Sequence, residues 1–191
     1  LQVSPSVISD YEKGRRSSPG VQFVKKYIAA LVDLDARKGS PFLRTFLRRL
    51  SLPVEAVLDI REFSLPVSVD RIVSAVGGHV LACPDGLEGE VYGYTIIDSL
   101  KCIELMSGAE FAQLMGLTTK RALVFTNAST GRATMVAVRV ATMKPAVVVL
   151  HGPGQVDPLA IRLAEKEQIP LILSGLDSVE AIVESLRKTA T

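Results

Sequence analysis

Two spacings of apolar residues divide this chain near residue 50. Before that point the intervals are helical. Val7, Ile8 and Tyr11 make an i, i+1, i+4 stripe, with Ser6, Ser9, Asp10 and Lys13 on the other side. Ser4-Pro5 opens the stretch, because a serine hydroxyl accepts from a free first-turn N–H and proline is tolerated at the first helical position. Gly14 closes it, since glycine readily takes the left-handed conformation just past a helix. The pattern predicts a helix of about ten residues with a small, polar outer face. A second helix is predicted over residues 20–34, with Val21, Val24, Ile28 and Leu31 at helical spacing and Lys25 and Lys26 off that face. After the polar break Ala36-Arg37-Lys38-Gly39, Ser40-Pro41 repeats the start signal. The third helix, to about Leu50, sets Phe42, Leu43, Phe46, Leu47 and Leu50 against Arg44, Arg48 and Arg49. Such an amphipathic connector is expected to pack on the body that follows; pairing with a second subunit or lying on a membrane are the alternatives.

From Pro53 the spacing changes to short β-branched runs alternating with helical stretches. Strands are predicted over 54–63, 79–83, 90–94, 122–126, 146–150 and 171–173, and helices over 67–76, 99–105, 132–141, 158–166 and 178–188. Strands alternating with helices argue for βαβ units. The unbroken apolar runs Ala146 to Leu150 and Pro170 to Leu173 suit parallel strands buried on both faces. The fold class expected is α/β: a partial all-α head over 1–35, a helical connector over 36–53, then a mostly parallel βαβ sheet domain over 54–191.

Composition narrows the function classes. With 191 residues, 48% hydrophobic and 22% charged, the chain can bury a full core and is neither a disordered tail nor a basic coat protein. No apolar run approaches the roughly 18 residues of a membrane span, so no membrane partner is expected. Cys83 and Cys102 cannot form a disulfide framework or a four-ligand zinc site, and a reducing, cytoplasmic setting follows as the expectation. The net charge of +2 conceals a split. Residues 1–50 hold ten Lys and Arg against four Asp and Glu, a balance of +6, while residues 51–191 hold 12 against 16, a balance of −4. A cationic head on an acidic body points to two modules with different partners, the head facing an anionic polymer such as double-stranded DNA.

The first helix has chemistry suited to a DNA groove. Small hydroxyls allow close approach to base edges, and Arg15 and Arg16 in the turn after Gly14 can neutralise phosphates. The stretch Leu1 to Pro19, LQVSPSVISDYEKGRRSSP, resembles the turn and recognition helix of the Cro-like, or XRE, helix-turn-helix repressors. Leu1, Val3 and Ser4 match in the turn, Ile8, Ser9 and Glu12 in the helix, and Gly14, Arg16 and Pro19 after it. The resemblance implies phosphate contacts at Ser4, Lys13 and Arg15 and base-facing side chains at Ser6, Ser9 and Asp10. It also implies that Glu12 pairs with a basic residue on a preceding helix. Gln2 and Pro5 depart from the family's usual residues. The first two helices of such a domain would lie before Leu1, so these 191 residues alone are expected to bind DNA poorly. One such helix reads only a few base pairs, which makes a homodimer spanning two half-sites about 34 Å apart the expected state.

In the body, an open parallel sheet binds ligands at the carboxyl ends of its strands. That rule selects Thr126 and Asn127, then His151, Gly152 and Gly154, then Ser174, in loops where glycines permit close approach and following helices offer N–H groups to an anion. Gly86 to Gly93, the strands ending at Thr126 and His151-Gly152, and Ile169 to Ser174 resemble a DRTGG-type regulatory domain, over roughly residues 70–188. The naming pentad is absent and Ser129-Thr130-Gly131-Arg132 is its nearest fragment, so the resemblance implies no particular ligand contacts. It implies a sensing or dimerising body, with a small-molecule effector as a candidate partner. No catalytic motif, metal site or cofactor motif occurs, and no cofactor is expected. The leading expectation is a sequence-specific DNA-binding transcriptional regulator; the alternatives are an enzyme or small-molecule-binding protein with active loops near Thr126, Asn127, His151 and Ser174, and a non-catalytic scaffold.

Overall fold

The structure, a computed structural model, describes residues 4–39, 41–42, 45–46, 55–116 and 120–189. Leu1 to Val3 of the predicted turn, and most of the predicted connector, lie outside the described residues. The chain divides into two compact units, Leu1–Leu50 and Ser51–Thr191.

In the first unit, Ser4 is extended and Pro5 takes the first helical position of α1, Pro5–Glu12. Gly14, at φ +67°, turns the chain out of the helix as the sequence predicts. The second helix, α2, runs over Val21–Arg37, three residues beyond the predicted end, and closes at Lys38. The two helices meet through an aromatic ladder: Tyr11 and Phe23 have ring centroids 4.7 Å apart, and Phe23 stacks on Tyr27 at 5.9 Å. Among the described residues, Pro41, Phe42, Thr45 and Phe46 are helical, and the Phe42 N–H donates to Asp35 Oδ1 at 2.8 Å.

The second unit is an α/β fold. In chain order it comprises β1 (Val57–Ser68), α3 (Val69–Ala75), β2 (His79–Ala82), a 3-10 turn (Pro84–Gly86), β3 (Glu90–Asp98), α4 (Ser99–Leu105) and α5 (Gly108–Gly116). It continues with β4 (Ala122–Thr126), α6 (Arg132–Val140), β5 (Val147–Leu150), α7 (Pro158–Glu167), β6 (Leu171–Leu173) and α8 (Val179–Thr189). The six strands lie in the order β1-β3-β4-β5-β6-β2. The four central strands are parallel, and both edges, β1 on β3 and β2 on β6, are antiparallel.

Side-chain alternation sorts the core into two layers. Tyr94, Ile96, Val124, Val149 and Ile172 face α3 and α8, packing with Phe63, Ile72, Ile182 and Leu186. The intervening Ile97, Leu123, Phe125, Val148 and Leu150 are equally buried. They face the helices that connect the parallel strands, since successive right-handed crossovers stepping in one direction leave those helices on one side.

Three elements differ from the sequence reading. The first strand continues to Ser68, because Val67 and Ser68 pair with Val91 and Glu90 beyond a bulge; the helix predicted from 67 therefore starts at Val69. The strand predicted to end at Tyr94 extends to Asp98, held by β1 on one side and β4 on the other. The nine-residue α5, absent from the sequence reading, opens with a reciprocal cap between Ser107 and Glu110.

Candidate functional site

The residues singled out in the head lie on or just after α1. Ser4, Ser6, Lys13, Arg15 and Arg16 are exposed, and Ser9 and Asp10 are half-buried. The Ser4 and Ser6 hydroxyls are 2.8 Å apart. Asp10 is turned toward the following loop: its carboxylate oxygens lie 3.7 Å from Arg15 Nη1 and 3.7 Å from Arg16 Nε, and its backbone carbonyl accepts from the N–H of both arginines. The carboxylate thereby offsets part of the positive charge at the helix end. Glu12 accepts a hydrogen bond from the Tyr27 hydroxyl on α2. That bond and the aromatic ladder fix how α1 seats on α2. An exposed row of serines ending in a cationic turn is what this part of the structure offers to a partner.

At the carboxyl ends of β4 and β5 two loops are laced together. The His151 N–H donates to the Phe125 carbonyl at 2.8 Å, and the His151 carbonyl accepts from the Ala128 N–H at 3.1 Å. Gly152 has φ +111°, with the position a Cβ would take 3.3 Å from the Ala128 carbonyl. Gly131, at φ +75°, precedes α6 where a Cβ would lie 2.5 Å from Leu150 Cδ1. Gly131 at the N-cap position of α6 has no side chain to cap it, and the exposed Ser129 and Thr130 precede it in the chain. Asn127, itself at φ +52°, donates through Nδ2 to Asp98 Oδ2 at 3.0 Å.

The structure therefore brings Asn127, His151 and Gly152 together. Gly154 is exposed further along the same loop, in open space. Thr126 is fully buried and its hydroxyl donates to the Ile97 carbonyl at 3.2 Å. The Ser174 hydroxyl donates to the Val76 carbonyl at 3.0 Å, and the Ser174 N–H ties the loop to the Leu150 carbonyl at 2.8 Å. Both hydroxyls are committed to backbone. The buried His151 Nδ1 has no hydrogen-bond partner among the described residues. No hydroxyl–imidazole–carboxylate relay of the kind a hydrolytic enzyme needs is assembled here.

Two acids that the sequence reading passed over organise this edge. Asp98 caps α4, accepting from the N–H groups of Leu100 and Lys101 at 3.0 and 3.1 Å, while holding Asn127. Asp157 caps α7 by accepting from the Leu159 N–H at 2.8 Å, and it receives Arg132 Nε at 2.7 Å, which clamps the start of α6 to the start of α7. The Leu159 N–H, with Arg132 beside it, holds the Asp157 carboxyl below its ordinary range. Asp157-Pro158 is a capping signature that a search for helix starts would have found.

On the flank of the same sheet, α4 and α5 stand apart from α6, leaving a hollow of about 390 Å³. Phe125, Cys102, Met106 and Phe111 are among its apolar lining, with Ile103 and Val140 at its rims. Burial, with the nearby Asp98 charge, pushes the Cys102 thiol up to about 12.

No family model matches the chain. Two chains named as uncharacterized HTH-type transcriptional regulators are similar to it over nearly its whole length. One, of Methanocaldococcus jannaschii, is 48% identical over 186 residues, which span 95% of this chain and 77% of that one. The other, of Archaeoglobus fulgidus, is 42% identical over 190 residues, spanning 98% of this chain and 81% of that one. Among solved structures, the CBS and DRTGG domains of the regulatory region of a Clostridium perfringens pyrophosphatase, complexed with its activator diadenosine tetraphosphate, align with a TM-score of 0.44 at 16% identity. That alignment covers 62% of this chain and 47% of the other.

Proposed function

This chain belongs to the HTH-type transcriptional regulators, and on that premise we propose that it binds double-stranded DNA sequence-specifically through α1 and the turn that follows. The observation that carries the reading is the exposed face of α1: Ser4 and Ser6 in a row, with Lys13, Arg15 and Arg16 at the helix end. Serine hydroxyls at Ser6 and Ser9 reach base edges, and Ser4 and the three cations hold phosphates. Asp10 has two roles open to it, accepting from a cytosine amino group or screening the arginines, and its position beside Arg15 and Arg16 favours the second. The resemblance of residues 1–19 to the Cro-like class supports the XRE subtype, with a head over 1–35, a connector over 36–53 and a regulatory domain over 54–191. Two copies acting as a homodimer satisfy the need for two half-sites.

The body is the sensing part in this reading. Asn127, His151, Gly152 and Gly154 form the receiving edge, with Thr126 and Ser174 holding it from beneath, and the uncapped start of α6 favours an anionic effector. The setting is cytoplasmic, with DNA as partner; among the described residues no helix is long and apolar enough to cross a membrane. The test is a selection of duplexes from a genomic library with the full-length protein, followed by titration of the recovered site at several salt concentrations. The reading expects one enriched motif and affinity that falls steeply with salt. Absence of any enriched, salt-sensitive duplex would overturn it.

A further inference from the structure

We propose that Tyr27 is a positioning residue for sequence readout by α1, acting through Glu12; this rests on the DNA-binding reading above and adds to it the contact that aims the helix. Among the described residues neither α1 nor α2 contains a buried residue, so contacts at their surfaces set the angle between them. Those contacts lie on one side of α2. Over residues 21–30, Phe23, Tyr27 and Ala30 are half-buried, at i, i+4 and i+7, and the others are exposed. The Phe23 ring meets the Tyr11 ring at 4.7 Å, and Tyr27, stacked on Phe23, donates its hydroxyl to Glu12 Oε1. Tyr11 and Glu12 are the last two residues of α1, shortly before the turn that carries Arg15 and Arg16.

A contact that holds one end of an eight-residue helix acts unequally on bases and phosphates. Ser9 and Ser6 lie about 4.5 Å and about 9 Å along the helix axis from Glu12, so a tilt at that seat displaces both hydroxyls. A hydrogen bond to a base edge is lost once its donor moves by roughly 1 Å. Arg15 and Arg16, on long side chains in an exposed turn, follow a phosphate through the same movement. Removing a phenolic hydroxyl changes no formal charge at neutral pH, so the attraction between the head and phosphate stays as it is. The Tyr27 hydroxyl thus contributes to the choice between duplexes and not to the grip on any one of them.

Titration of the full-length protein against its selected duplex and a scrambled one, at several salt concentrations, reads the difference. Tyr27→Phe keeps the ring stack and should lower the ratio of the two affinities about tenfold, with the scrambled affinity, the salt slope and the melting curve at wild-type values. Glu12→Ala should lower the ratio by as much, and the double variant by no more than either single one, because both changes remove the same hydrogen bond. Glu12→Gln retains an acceptor oxygen and should keep the ratio within about twofold of wild type. An unchanged ratio in Tyr27→Phe, losses that fall equally on both duplexes, or losses that add in the double variant overturn the assignment and leave DNA binding through α1 intact. A wild type with no preferred duplex overturns that reading as well.

Discussion

Arg121 has the strongest set of residue-scale contacts in the body. It is 4% exposed, and its guanidinium donates to the Arg61 and Tyr94 carbonyls at 2.7 and 2.6 Å and to Thr95 Oγ1 at 3.3 Å, while pairing with Glu62. Burial works against its charge and lowers its pKa, and Glu62 offsets only part of that. Arg121→Met strands two buried acceptors and a half-buried one and should cost about 3 kcal/mol in urea unfolding, whereas Glu62→Gln, on the exposed partner, should cost under about 1 kcal/mol. Equal losses would show that the ion pair, and not the carbonyl contacts, matters. The cysteines give a second test. Cys102 is buried with its thiol near 12, and Cys83 is raised chiefly by burial but is partly exposed. An aromatic disulfide reagent at neutral pH should therefore label Cys83 first and reach Cys102 only on unfolding. None of this was legible in the sequence. The partners that make a residue special are remote: Asp59 accepts from Tyr94 35 positions away and from Arg187 128 positions away. Among the candidate site residues, His151 and Asn127 were found by the strand-end rule, but the commitment of the Thr126 and Ser174 hydroxyls to backbone carbonyls depends on neighbours that only the folded sheet supplies.

Elements were most legible where the pattern was forced from both sides. The β4 and β5 strands are buried on both faces, so their sequences are apolar without interruption, and each was located to within a residue. Edge strands carry no such mark. Pro66 sits inside β1, where an edge tolerates the missing N–H, and it made the strand's second half look like the lead-in to a helix. The antiparallel direction of both edges is likewise a matter of long-range pairing. The α5 helix begins and ends on glycine, which hid it, although its cap was readable as Ser107-Gly-Ala-Glu110. There the Ser107 N–H and hydroxyl both donate to Glu110 Oε2, at 2.7 and 2.8 Å, and hold that carboxyl below the ordinary glutamate value. A lowered folded value means that the cap's contribution is complete above the ordinary glutamate value and is lost as pH falls through the lowered one. Ser107→Ala should cost about 1 kcal/mol at neutral pH and flatten this acid dependence, which melting curves between mildly acidic and neutral pH would register. A steeper acid dependence in the variant would show that Glu110 draws its stabilisation from elsewhere.

At the scale of the whole molecule, the charge split is a property of the sequence that needs no fold to be read. The +6 balance lies in residues 1–50, and the structure divides into its two units at the same place. What charge counting does not show is how much of that cation is free to meet phosphate. Asp10 sits 3.7 Å from both Arg15 and Arg16, a separation at which exposed pairs are weak but still compete with another anion for the same guanidinium groups. Each phosphate neutralised releases counterions and adds roughly one to the steepness of the salt dependence. Arg15→Ala and Arg16→Ala should each lower that slope by about one, and should weaken binding to selected and scrambled duplexes alike. Asp10→Asn separates its two roles. If the carboxylate screens the arginines, the variant binds every duplex more tightly with no change in preferred sequence. If it accepts from a cytosine amino group, the variant loses preference at one base pair, worth about 1–3 kcal/mol, while its affinity for scrambled DNA still rises through the lost negative charge. Titrating wild type and variant against the selected site and its single-base substitutions, at two salt concentrations, distinguishes the outcomes. The geometry of the Arg15–Asp10–Arg16 group favours uniform tightening.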